Sequence, residues 1–359
     1  MRFKEDIDIV RKRIDAFWAN ELMDRALVSI LTPKEKGKNI PIFDAAMAEK
    51  DPAYVEKFWF DPQTIHNRTI KQLENTYLGG DALPTFHPDF GVSGHAAFFG
   101  CKPIVSPKTI WFNPAWSSLS DWKTTFTPEV IQQQVAIIKE VARLSNGDYF
   151  IGLPDHCGTL DAVGHLYGTD NVLMAMITDP EELQEALAAV DAAWVESIEL
   201  FYQALKEVNK GSCHSWMHLL SDKKMGQMQC DMSVMFSAEL YEEFVYDELK
   251  RQIAWFDDPI YHFDGAEQER HLDILLSFDK LKVIQWTPVA GQPKASHFMP
   301  ILKRIQDAGK RLVIGVIPEE IPDILENLSA KGLNLRVRNV KDPDAAEAVV
   351  KCVEKYSKS

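Results

Sequence analysis

The chain lacks most of what marks the non-globular and nucleotide-binding classes. Its five cysteines (Cys101, Cys157, Cys213, Cys230 and Cys352) in 359 residues are odd in number and never spaced C-x-x-C. That excludes a disulfide framework and a zinc knuckle and leaves reduced thiols as the expectation. No G-x-G-x-x-G or G-K-[ST] follows an apolar run, so the phosphate-cradling loops of dinucleotide and nucleotide enzymes are missing. Apolar runs such as "VLMAMI" and "LVIGVI" are too short to cross a bilayer, and the N-terminal "MRFKEDIDIVRKRIDAFW" is charged throughout, so no membrane partner and a cytoplasmic location are expected. A net charge of −14, with no Lys/Arg stripe interleaved with aromatics, sets nucleic acid aside as a partner. No Pro/Gly/Ser-rich linker divides the chain, and one domain over residues 1–359 is expected.

What is present is the composition of an ordinary globular protein, 46% hydrophobic and 26% charged. Short β-like runs alternate with longer segments of helical period. The candidate strands are "ALVSIL" (26–31), "DALPTF" (81–86), "DYFIGL" (148–153), "SCHSWM" (212–217), "GQMQCD" (226–231), "PIYHFD" (259–264), "KVIQW" (282–286) and "RLVIGVI" (311–317), with "LNLRV" (333–337) as a ninth. Between them, segments such as "PEVIQQQVAIIKEVARL" and "SAELYEEFVYDELKRQIAWF" carry apolar residues three and four apart and open on Pro-Glu or Ser-Ala-Glu starts. This alternation predicts an α/β fold with a parallel sheet, favouring a (β/α)8 TIM barrel preceded by an N-terminal helical extension. Residues 86–124 break the pattern, being rich in aromatics, Gly and Pro, and predict a long insertion or lid over the C-terminal rim.

In parallel α/β folds the chemistry sits at the carboxyl ends of the strands. Three such ends are unusually polar here: "MQCD", "YHFD" and "VIQW". Side chains alternate along a strand, so His262 and Asp264 share a face and Tyr261 and Phe263 turn toward the helices. By the same parity Gln227, Gln229 and Asp231 share a face, while Cys230 takes the other and competes with Asp231 for the pocket. Gln285 faces inward, two residues beyond Val283, with Trp286 at the rim. Adjacent fifth, sixth and seventh strands would bring Asp231, His262 and Gln285 together as candidate catalytic groups, and His262, Asp264 and Cys230 as candidate metal ligands. Asp264 also reads as the N-cap of the following helix, with Glu267 completing a capping box. Asp155 and His156, in "LPDHCG" beside Cys157, and the tryptophans Trp111 and Trp286 are candidate substrate-binding residues. Trp111, Trp116 and Trp122 would also serve as a stacking platform.

At "YHFDGAEQERHLDILLSFDKLKVIQWTP" the sequence resembles the uroporphyrinogen decarboxylase superfamily, which also contains the corrinoid-dependent methyltransferases. "GGDALPTF", "AAFFGC", "GTLDAVGHLYGTDNVLMAMITDPEELQEAL" and "QCDMSVMFSAELYEEFV" extend the resemblance over roughly residues 20–340. It implies a single (β/α)8 barrel with its site at the C-terminal rim. "DRALVSILTPKEKGKN" does not supply the arginine-rich segment that holds the carboxylates of uroporphyrinogen in the decarboxylases. The methyltransferases hold zinc through a His-x-Cys pair and a later cysteine. Here the pair is His262-Phe263-Asp264, and neither "VIQWTP" nor "VIGVIPEEI" contributes a cysteine. The resemblance therefore implies a methyltransferase-like enzyme with zinc or another divalent metal, acting on a small molecule with a corrinoid carried by a separate partner protein. A decarboxylase or lyase of a small acid, a carbohydrate-active barrel and a non-catalytic binding protein stand as alternatives.

Overall fold

The computed structural model describes residues 1–36, 38, 41–154, 157–289 and 291–357. Its strands are β1 (Leu27–Pro33), β2 (Thr76–Gly80), β3 (Thr85–Phe86), β4 (Pro103–Val105), β5 (Ile110–Phe112), β6 (Phe150–Ile151), β7 (Ser212–His214), β8 (Leu219–Ser221), β9 (Met225–Met228), β10 (Asp258–Asp264), β11 (Val283–Thr287), β12 (Arg311–Val316) and β13 (Leu333–Val337). A seven-stranded sheet runs β2-β1-β13-β12-β11-β10-β9. All of its pairings are parallel except that of β2, which returns antiparallel to β1 at the edge. The ninth candidate strand is thus β13, in the middle of the sheet.

Backbone hydrogen bonds do not close the expected (β/α)8 barrel: the seven-stranded sheet is open. β3 and β6 pair only with each other and β7 only with β8. "DALPTF" contributes two strand residues and "DYFIGL" two. Pro84 has no N–H to give a ladder, although its carbonyl accepts from Phe150. "SCHSWM" stops at His214, and the chain turns back into β8 through His218 at φ 53°. Between β7 and β9 the links run through side chains: Ser212 Oγ accepts from the Met225 N–H at 3.2 Å and donates to the Lys223 carbonyl, just before β9, at 2.7 Å, and His214 Nε2 pairs with Gln227 Oε1 at 3.1 Å.

Side chains nonetheless converge from both sets of strands. Leu27, Leu83, Phe150, Cys213, Met225, Ile260, Val283 and Val313, one from each of eight segments, meet in a single buried cluster. The first helix, Ile7–Ala19, closes the same cluster with Val10, Ile14 and Phe17, one apolar stripe at helical spacing. It ends at Asn20, whose φ of 57° turns its N–H back onto the Ala16 and Phe17 carbonyls. The alternate residues, such as Val28, Ile30, Tyr261, Phe263, Ile284 and Ile314, pack outward in a second core shared with the helices. A buried ion pair fixes β1: Arg25 Nη1 donates to Asp81 at 2.5 Å, and Asp81 also accepts from the Val28 N–H at 2.9 Å.

The helix periodicity is borne out with one break. "SAELYEEFVYDELKRQIAWF" forms Ala238–Phe244 and Tyr246–Trp255, interrupted at Val245. Residues 86–124 hold a buried 3-10 turn, Gly94–Phe99, the β4–β5 hairpin and a short helix, Trp122–Thr125.

Candidate active site at the carboxyl ends of the strands

The apolar layer gives way to polar side chains toward the carboxyl ends of β9, β10 and β11. On β10, Tyr261 and Phe263 are fully buried against the helices, whereas His262 and Asp264 keep part of their surface. The register sets His262 directly beside Gln285 and Asp264 beside Thr287. Gln285 has no exposed surface. Its amide nitrogen donates to Thr287 Oγ1 at 3.0 Å, which turns its oxygen onto His262 Nδ1. An amide oxygen can only accept, so Nδ1 is the donor of this pair and Nε2 is the ring nitrogen left to act as a ligand.

On the neighbouring strand a relay of amides runs along one face. His214 Nε2 pairs with Gln227 Oε1 at 3.1 Å, Gln227 donates to Gln229, and Gln229 donates to Asp231 Oδ2 at 2.9 Å and to Cys157 Sγ at 3.1 Å. Burial first, and then the neighbouring His87, Arg336 and His262, hold the His214 pKa down to about 3. It is a neutral imidazole at physiological pH.

Asp231, His262 and Asp264 each offer a ligand atom, and these atoms lie within 4.8 Å of one another. No other group of three or more His, Cys, Asp or Glu of this kind occurs among the described residues. The donor set is one imidazole and two carboxylates, which suits a divalent cation that favours nitrogen and oxygen and departs from a thiolate-rich zinc site.

The position of Asp231 has an evident cause. Asp161, on the helix Thr159–Tyr167, accepts from the backbone N–H groups of Gly158 at 3.1 Å, Asp231 at 2.9 Å and Met232 at 2.8 Å. It ties the end of β9 to the loop after β6. Burial and the adjacent Asp231 charge push its carboxyl up to about 7, against the pull of those three donors. A cleft of about 400 Å3 opens beside it, lined by Trp111, Phe112, Cys157, Asp161, His165, Asp231 and Met235 among others, so the 86–124 segment supplies one wall.

The other sequence expectations fare differently. Cys230 does not join the cluster: its side chain is 1% exposed in the helix-side core, and burial pushes its thiol well up. Parity decided between it and Asp231. Trp286 is fully buried against Phe298 at 4.8 Å, the face opposite to Gln285, and is not at the rim. Trp116 is buried with its indole N–H on the Phe99 carbonyl at 3.1 Å, which removes the aromatic platform. Trp111 is 51% exposed, edge-on to His165, and lines the cleft. Asp264 caps no helix: Gly265, at φ 92°, stands at the cap position, and Glu267 accepts from Gln292 at 2.7 Å. Asp155 and His156 lie outside the described residues.

Three features escaped the sequence reading: Asp161, Trp216, and the arginines Arg336 and Arg338. Trp216 stands edge-on to His214 and His262, at 4.9 and 5.8 Å between ring centres. The arginines announce themselves only once "LNLRVR" is taken as a strand, with Asn334, Arg336 and Arg338 on one face.

No protein-family profile matches the chain, and no curated protein matches it in sequence. Among solved structures, it is similar to a methyltransferase from Methanosarcina mazei, with a TM-score of 0.61 and 13% identity, covering 97% of this chain and 98% of that one. The likeness is one of fold. No helix among the described residues is long and apolar enough to cross a membrane.

Proposed function

We propose that this chain is a methyltransferase-like enzyme that moves a methyl group from a heteroatom of a small donor to a corrinoid carried on a separate protein. The observation that carries the reading is the placement of Asp231, His262 and Asp264 donors within 4.8 Å of one another. They stand at the carboxyl strand ends of a fold similar to that of a methyltransferase. We read that fold as a (β/α)8 barrel in one domain, supported by the eight inward-facing side chains of the buried inner cluster.

Methyl transfer from an unactivated ether or amine requires the departing heteroatom to be made a better leaving group. A divalent cation held by Asp231, His262 and Asp264 would supply Lewis acidity there. The protein's own contribution is orientation. Gln285 fixes the His262 tautomer, Gln229 and the Asp161 anchor hold Asp231, and Phe263 and Tyr261 lock the strand that presents His262 and Asp264. Trp111 and the 86–124 wall line the cleft that reaches Asp231.

The test uses free cob(I)alamin as acceptor and a panel of small O-, N- and S-methyl compounds as donors. A donor-dependent change in corrinoid absorbance, abolished by His262→Ala, is expected; no change across the panel contradicts the reading. A second reading, a metal-independent lyase or decarboxylase of a small acid, draws on Asp161 in the cleft wall, whose carboxyl is pushed well up by burial and Asp231. In that case Asp231 and His262 handle protons, and turnover survives a chelator.

A further inference from the structure

The last strand of the sheet presents two cations to the same face that His262 and Asp264 use. Arg336 is partly exposed, and its guanidinium lies over the Trp216 ring, with Cζ 4.7 Å from the centroid. Trp216 in turn stands edge-on to His262. One indole therefore separates Arg336 from the His-Asp-Asp cluster. Arg338 is exposed and, two residues further along, shares the strand face. A Cβ at Gly315 would stand 2.9 Å from Arg338 Nη2, so the missing side chain there is the space this guanidinium occupies.

Neither arginine is neutralised. Among the described residues no carboxylate lies within ion-pairing distance of either, a state they share with Arg11, Arg68, Arg270 and Arg311, whereas Arg2, Arg13, Arg25, Arg143, Arg251 and Arg304 each have one. Arg336 Nε is buried and has no hydrogen-bond partner. Ser29, its register neighbour on β1, is 5% exposed, and its hydroxyl is likewise without a partner. A buried donor left unsatisfied costs about 1–3 kcal/mol, and here Arg336 Nε and the Ser29 hydroxyl are register neighbours on the face of an uncompensated cation. His214 and His218, both held neutral mainly by burial, add no further positive charge there.

We infer that Arg336, Arg338 and Ser29 form an anion subsite that takes the carboxylate of a small organic acid, with the rest of the molecule extending past Trp216 toward His262. A guanidinium fork matches the two oxygens of a carboxylate, and an indole face beside it suits a short alkyl chain. This deepens the proposed function by making the donor a methylated acid, and it rests on that reading only for what happens at the far end of the ligand.

The test is binding, which needs neither corrinoid nor turnover. The full-length protein is titrated calorimetrically with propionate and methoxyacetate, with their neutral amides, and with inorganic phosphate. Saturable binding of the carboxylates and none of the amides is expected, weakened about tenfold or more by Arg336→Gln and by Arg338→Gln and shifted the same way by Gly315→Ala. Arg338 is exposed, so its variant carries the test if Arg336→Gln fails to fold. His262→Ala should leave carboxylate binding in place. Absence of saturable binding, preference for phosphate, insensitivity to both arginine variants, or loss in His262→Ala alone each overturns the inference. Failure of methyl transfer with carboxylate binding intact would instead remove only the proposed reaction.

Discussion

Replacing Gln285 with leucine probes how the site is held. The side chain is wholly buried and has two jobs, accepting from His262 Nδ1 and donating to Thr287 Oγ1. Leucine is close in volume and cannot do either. It leaves the His262 N–H and the Thr287 hydroxyl without their partner, and since both residues are only half-buried the cost is about 1 kcal/mol each, partly offset by the removal of a buried amide. The larger effect falls on His262, which loses the bond that fixes its ring and tautomer. Outer partners of this kind are typically worth 10–100-fold in metal affinity. Competition between the protein and a chromogenic chelator for Zn2+ or Mn2+ would measure it, with Gln285→Glu as the control that keeps an acceptor on Nδ1. The reasoning is refuted if the leucine variant binds metal as tightly as the wild type while remaining folded, because His262 would then be oriented by something else.

Other outcomes follow from the same structure. Glu248 is buried, and its pKa is raised to about 8 by that burial and by Asp191. The folded state therefore holds a proton that the unfolded chain releases near 4.5, and Asp161 behaves alike at about 7. Stability from these groups is full at acid pH and declines as pH rises toward 8, and denaturant titrations across pH should show Glu248→Gln flattening that slope. Asp81→Asn breaks the buried contact with Arg25 and should cost roughly 3–5 kcal/mol in chemical denaturation. Gly226→Ala would place a Cβ 2.2 Å from the Phe256 ring and should destabilise by about 1–3 kcal/mol, relieved by Phe256→Leu in the same background.

Much of the fold and part of the site were legible in the sequence, for physical reasons that differ from segment to segment. Period-2 alternation placed His262, Asp264 and Gln285 on the inner face, because adjacent parallel strands leave side chains nowhere else to go. The same alternation sorted Asp231 from Cys230 although β9 ends at Met228: Gln229 and Asp231 continue the line of Gln227, and Cys230 falls in the helix-side core. The second and third strands shrank because Pro84 interrupts donation and Gly152 lies against Ser215, which brings chains together without a ladder. Trp286 was misplaced by reading position along the strand ahead of parity. Asp161 was invisible because its role is to accept from three backbone N–H groups, two of them 70 or more residues away. No local pattern encodes that.

The most direct measurement is the metal content of the purified protein, by elemental analysis after equilibration with Zn2+, Mn2+ or Fe2+ and removal of free ions. The account predicts about one divalent ion per chain, lost in His262→Ala and in the Asp231→Asn, Asp264→Asn double variant, and retained in Cys230→Ala. No bound ion under any of these conditions, or an ion that survives loss of His262, would contradict it.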